Sequence, residues 1–170
     1  MLSLRSALVL TLLGGCAAGS EADSAAEARQ AAAAADSGYA GVQGRSRVAM
    51  GVDQYTSTHL FQPLPDGGRI ELQRDTADSA GQEQIVEHMG EIAAAFHAGD
   101  FRVPGFVHAR QVPGTDVMAV RRTEISYVVE SLPRGAAVRL TTRDSSALQA
   151  IHAFLAFQRQ DHRTEAHHEH

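Results

Sequence analysis

Leu64-Pro65-Asp66-Gly67 recurs as Leu132-Pro133-Arg134-Gly135, some 68 residues further on, and the chain around each copy reads alike. Residues 56–62 read as a short strand and 124–130 alternate as a half-buried strand does, the Leu-Pro-x-Gly segment supplies a tight turn, and 69–74, which alternates, and 137–141 are the return strands. Capping residues follow in both copies, at 75–79 and 144–146. Helical patterns then run over about 80–98, closed by Gly99, and about 147–160. Matching turn, strand pattern and following helix at one offset are the signature of an internal repeat. The expected fold is therefore α+β, a duplicated ββα unit forming a four-stranded antiparallel sheet with two helices on one face. Residues 101–120 join the copies with Pro104, Gly105, Pro113 and Gly114, and read as a long irregular connection of the kind that often carries function.

Outside this repeat the chain is differently built. One charge, Arg5, precedes the apolar run Ala7-Leu8-Val9-Leu10-Thr11-Leu12-Leu13, which is too short to span a bilayer of about 30 Å and is followed by Gly14 and Gly15. Leu13-Gly14-Gly15-Cys16 resembles the lipobox of bacterial lipoproteins. That resemblance implies cleavage of residues 1–15, a diacylglyceryl group on the Cys16 sulfur and an acyl group on its amino terminus, hence stable anchoring to the membrane. Ala17 and Ala18 after the cysteine imply an outer-membrane address if the host has two membranes. Residues 16–53 then read as a lipidated, flexible, Ala-rich tether, because no apolar side chain larger than Ala recurs at helical spacing in its first part and glycines punctuate the rest. The domain is expected over 54–163, and 164–170 as a His-rich disordered tail.

Composition narrows the chemistry. Cys16 is the only cysteine, which excludes an internal disulfide or a cysteine-based zinc site. All 15 basic residues are Arg, so Schiff-base chemistry and a phosphate-loop lysine are excluded as well. A formal charge of -5 without a basic patch argues against a nucleic-acid partner. No catalytic residues stand out. Ser145, Ser146, Asp75, Asp78 and Asp144 fit turns and helix caps, and Glu87 and Glu91 lie on the polar side of their helix.

Nine histidines are the remaining feature. Ile85, Met89, Ile92 and Phe96 form the apolar stripe of the first helix, and His88 shares that face by its spacing from Ile85 and Ile92. Leu148, Ile151 and Leu155 form the stripe of the second, and His152 shares it in the same way. Neutral imidazoles suit copper or zinc, and the thioether of Met118 favours Cu(I). His108 and His162 complete such a site if the connection and the end of the second helix fold over it. His167, His168 and His170 form a weak, exposed metal-binding tail.

The repeat region also resembles a family of small exported bacterial proteins, over roughly residues 67–163. The residues that carry this are Gly-Gly-Arg-Ile-Glu-Leu-Gln (67–73), Gly-Asp-Phe (99–101), Val-Pro-Gly-Thr-Asp-Val-Met (112–118), Ile-His-Ala-Phe-Leu-Ala-Phe-Gln (151–158) and Asp-His-Arg-Thr (161–164). Members often bear an aspartate carbamoyltransferase label. The residues here do not support it: the phosphate-binding Ser-Thr-Arg-Thr of that enzyme has only Thr141-Thr142-Arg143-Asp144 as a counterpart, with an acid where phosphate needs neutral or basic groups, in a chain too short for its two domains.

Two readings of function stay open. One is a membrane-anchored envelope lipoprotein that binds a transition metal, copper first, through His88, His108, Met118, His152 and His162. The other is a non-catalytic envelope module that binds a partner protein and whose histidines are structural.

Overall fold

The computed structural model describes residues 18–50 and 56–164, in the order α1 (Ala18–Met50), β1 (Ser57–Leu64), β2 (Gly67–Arg74), α2 (Ser79–His97), α3 (Arg102–His108), α4 (Thr115–Val120), a 3-10 turn (Arg122–Glu124), β3 (Ile125–Leu132), β4 (Gly135–Thr142) and α5 (Ser145–Asp161). The four strands form one antiparallel sheet, ordered β1-β2-β4-β3. This is the α+β duplication expected from the repeat.

The duplication extends to single hydrogen bonds. At the sheet centre β2 pairs with β4 about Ile70↔Val138, two residues that are each other's counterparts in the repeat. Arg74 N donates to Arg134 O at 2.8 Å, and its counterpart Thr142 N donates to Asp66 O at 2.9 Å. A Cβ at Gly67 would collide with the carbonyl oxygen of Leu140, and one at Gly135 with that of Leu72. Both hairpins therefore need glycine at the same place, so that the central strands can approach. Asp78 and Asp144 cap α2 and α5 by accepting from Gly81 N and Ala147 N, satisfying helix-end donors that would otherwise lack partners.

Each helix covers the other copy's hairpin: α2 lies mainly over β3 and β4, and α5 mainly over β1 and β2. Ile85, Met89, Ile92 and Phe96 on α2 and Ile151, Phe154 and Leu155 on α5 meet Phe61, Ile70, Leu72, Val138 and Leu140 from the sheet in one apolar core. Full burial of a side chain such as Leu72 or Leu140 contributes roughly 1.5–3 kcal/mol. The opposite sheet face carries charge, with Arg69 paired to Glu71 and Glu130, and Arg139 to Asp66.

Two expectations need correction. The connection over residues 101–120 is not irregular. It forms α3 and α4, which turn Val107, Val112 and Met118 into buried side chains. Gly114, at φ +83°, starts α4 where any side chain would strike the Ala150 backbone.

The second correction concerns the tether. A helix occupies residues 18–50, and from Ser37 onward it belongs to the compact unit that contains the domain. Residues up to Asp36 fall in a separate unit, whose described side chains are exposed. The face that packs is built from Val42, Gln43 and Ser46. With one apolar side chain among three, it leaves no hydrophobic stripe to read. Arg45 Nε donates to Val107 O at 2.6 Å, and the Arg163 guanidinium lies 4.3 Å from the centre of the Tyr39 ring. Against these contacts stand interior glycines, each about 1 kcal/mol less favourable than Ala in a helix, and the buried Gln43 Oε1 and Ser46 Oγ, which have no hydrogen-bond partner.

Candidate functional site

Strand alternation puts His59 and Phe61 of β1 on the helix-covered face of the sheet, and there they meet the C-terminal end of α5. Between α2 and α5 the core opens into a cavity, with about 60 Å³ within reach of a water molecule's centre. One water takes roughly 10–15 Å³ on that scale, so the cavity suits an ion with a few waters. His59, His88, His108 and His162 line it, with Met89 and Ser46, and α3 closes it through Val103, Pro104 and Val107.

The four rings arrive by different routes. His88 sits one residue before Met89 on the buried face of α2, and only 9% of it is exposed. His108 is the last residue of α3, and His162 is the C-cap of α5. His162 lies at the centre of the group, its ring centre 5.3 Å from that of His59 and 5.1 Å from that of His108. Two imidazoles bound to one ion by bonds of about 2.0 Å at a tetrahedral angle place their ring centres about 5 Å apart, so both pairs have the right separation. Among the described residues, however, no group of three or more His, Cys, Asp or Glu side chains is arranged to hold a metal ion as it stands.

Burial favours the neutral form of three of these rings, His59, His88 and His162. Burial pushes His59 down to about 3, helped by the neighbouring His88 and His108. Burial lowers His162 to about 2, with His59 and His108 adding to the shift and Asp161 opposing it. His88 is lowered by burial too, against the pull of Glu91. Lone pairs on His59 and His162 are therefore available for coordination well below neutral pH.

Hydrogen bonding divides the rings into two kinds. His108 is held on both sides, Nδ1 by Asp161 Oδ2 at 2.5 Å and Nε2 by the Gln158 side chain at 2.9 Å. With Nδ1–H donated to Asp161, a neutral His108 presents an acceptor at Nε2, and a half-turn of the Gln158 amide supplies the matching N–H. A carboxylate behind an imidazole is also the arrangement that orients histidine ligands at metal centres. His59 Nδ1 and His162 Nδ1, by contrast, are buried and have no partner at all. An orphaned buried polar atom of this kind costs about 1–3 kcal/mol, which a bound ligand would offset.

Of the residues singled out in the sequence, His88, His108 and His162 thus come together. His152 and Met118 do not join them. The Nε2 of His152 sits 2.9 Å from Leu64 O and 3.1 Å from Gly67 O, where it ties α5 to the β1–β2 turn. Met118 is fully buried on α4 in the apolar core, and Met89 is the thioether beside the histidines. Cys16, His167, His168 and His170 lie outside the described residues, as does the signal segment. His59 is a member that sequence reasoning missed, although the alternation Ser57-His59-Phe61 carries the signal.

No family model, curated protein or solved structure matches this chain. Among the described residues no helix is long and apolar enough to cross a membrane.

Proposed function

We propose that this protein is an exported lipoprotein, held to its membrane by a lipidated Cys16, whose domain binds a transition metal at His59, His88, His108 and His162. The observation that carries the metal reading is that His59 and His162, which line one cavity from two elements, each bury a ring nitrogen without a partner. Copper as Cu(I) is the metal of choice, because the Met89 thioether beside the imidazoles is a soft donor and a poor zinc ligand. The Asp161–His108 pair supplies outer-shell support, and His108 becomes a ligand once Gln158 yields its place. The tail histidines act separately, as weak sites.

His152 favours a second reading, in which the histidines are structural and the domain is an envelope interaction module. Its imidazole already has a full structural task at the hairpin turn. In that case the sheet face turned away from α2 and α5, where Val128 is exposed, is the surface for a partner.

Titration of the protein lacking residues 165–170 with Cu(I) and Zn(II) separates the two readings. Binding of Cu(I) that weakens in Met89→Leu more than Zn(II) binding does is the result expected. Affinity for both metals no better than about 10 μM, roughly 7 kcal/mol, would leave the interaction module as the better reading. Anchoring has its own check: Cys16→Ser should abolish fatty-acid incorporation in cells, and a wild-type mature protein without lipid mass would refute it.

A further inference from the structure

We propose that residues 37–50, the second half of α1, form a gate over the histidine cavity, and that its glycines keep that gate easy to open. The inference rests on the reading of the cavity as a ligand site and adds how the ligand gets in and out. Ser46 is part of the cavity wall, contributed by the helix segment on which Val42 and Gln43 are also buried. Gly38 and Gly44 are both exposed, and a Cβ at either would meet nothing within 4 Å. A Cβ at Gly41 would touch only the far end of the Arg45 side chain. Packing therefore gives no reason for glycine at Gly38 or Gly44.

What these glycines do change is the helix itself, since glycine is the weakest helix former after proline. Among the described residues, Arg45 ties the segment to the domain through the Val107 carbonyl, and Tyr39 through its stack with Arg163. Two buried oxygens on the segment, Gln43 Oε1 and Ser46 Oγ, gain water when it lifts. The Val107 carbonyl that receives Arg45 sits next to His108, so a tie holding the gate shut is anchored one residue from a histidine of the cavity. Closing and ligand capture then occur at the same place on α3.

Carbethoxylation of histidines by diethyl pyrocarbonate in the full-length protein, mapped by mass spectrometry, reads gate opening without any metal. Exposed His97 serves as an internal standard. In the wild type His59 and His162 should react more slowly than His97. Gly38→Ala/Gly44→Ala should slow them about tenfold or more, two interior glycines each being worth a four- to fivefold change in a helix equilibrium. Val42→Asp should speed them by a similar factor. Rates at His59 and His162 that match His97, or that ignore both variants, would overturn the gate. Rates that respond as expected in a protein binding neither Cu(I) nor Zn(II) would keep the gate and remove the metal reading. Tight metal binding with unresponsive rates would do the reverse.

Discussion

The two halves of the core are built from matching positions and end differently. His59 on β1 and Tyr127 on β3 are counterparts in the repeat, and each buries a polar atom without a partner, Nδ1 in one case and the phenol oxygen in the other. Around Tyr127 the neighbours are aromatic: Phe96 stacks on Phe101 with ring centres 4.5 Å apart, and Tyr127 and Phe154 pack edge-on against Phe96 at 5.9 and 5.8 Å. Burial raises the Tyr127 phenol far above its usual range, so it is a neutral member of an aromatic cluster. Around His59 the neighbours are His88, His108 and His162, and a cavity remains. The same scaffold thus gives a packed half around the aromatic cluster and a hollow half, and the cavity of the hollow half is lined by four imidazoles. A site here is a local departure from the repeat.

The strongest way to test the common scaffold is to cut both halves at one matched position. Leu72 and Leu140 are counterparts, both fully buried in the central strands. Leu72→Ala and Leu140→Ala should each destabilise by about 2–5 kcal/mol in urea unfolding, with values close to each other. A large difference between them would mean that the halves do not share the load equally.

Acid should separate the halves next. His59 and His162 have folded values near 3 and 2, against about 6.5 in an unfolded chain. A depressed value means that the unfolded state takes up protons the folded state refuses. Stability is therefore fully present above pH 6.5 and is lost as pH falls below it, by up to about 1.4 kcal/mol per pH unit for each histidine. Urea midpoints between pH 7 and 5 check this, and His59→Phe/His162→Phe should flatten the profile. A profile unchanged in that variant would show that these rings are solvated.

The smallest effect is the most discriminating. Tyr127→Phe and His59→Phe each remove one orphaned buried polar atom, so each should be neutral or stabilising by about 1 kcal/mol. Only His59→Phe should also weaken Cu(I) binding. Equal loss of metal in both variants would mean that the cavity responds to general core packing.

Sequence resolves the parts of this molecule that local chemistry decides. The Leu-Pro-x-Gly turns, the alternation of β2 and β4, and the Asp78 and Asp144 caps are all specified within a few residues, and all are legible. His88 is legible too, because helical spacing fixes its face. The inward side of β1 is equally specified by its alternation, which places His59 beside Phe61 on the helix-covered face. The surroundings of His152, at the β1–β2 turn, and of Met118, in the apolar core, are not legible in the same way. Spacing says which face a residue occupies, and cannot say whether that face meets a turn carbonyl, a cavity or the middle of the core. The helix over 37–50 was the least legible, because a packing face made of Val42, Gln43 and Ser46 has no apolar period to detect.

The exchange of helices between hairpins has a consequence for how such a chain can originate. A lone ββα unit whose helix lies over somebody else's strands cannot bury its own sheet, and becomes a folded object only by embracing a second copy. In symmetry the present domain is such a two-fold pair, written on a single chain. As long as two separate but identical subunits make the pair, every change in one appears in the other, and a hollow on one side means a hollow on both. Joining them through α3 and α4 ends that constraint: one half can stay solid and hold the fold while the other is free to diverge.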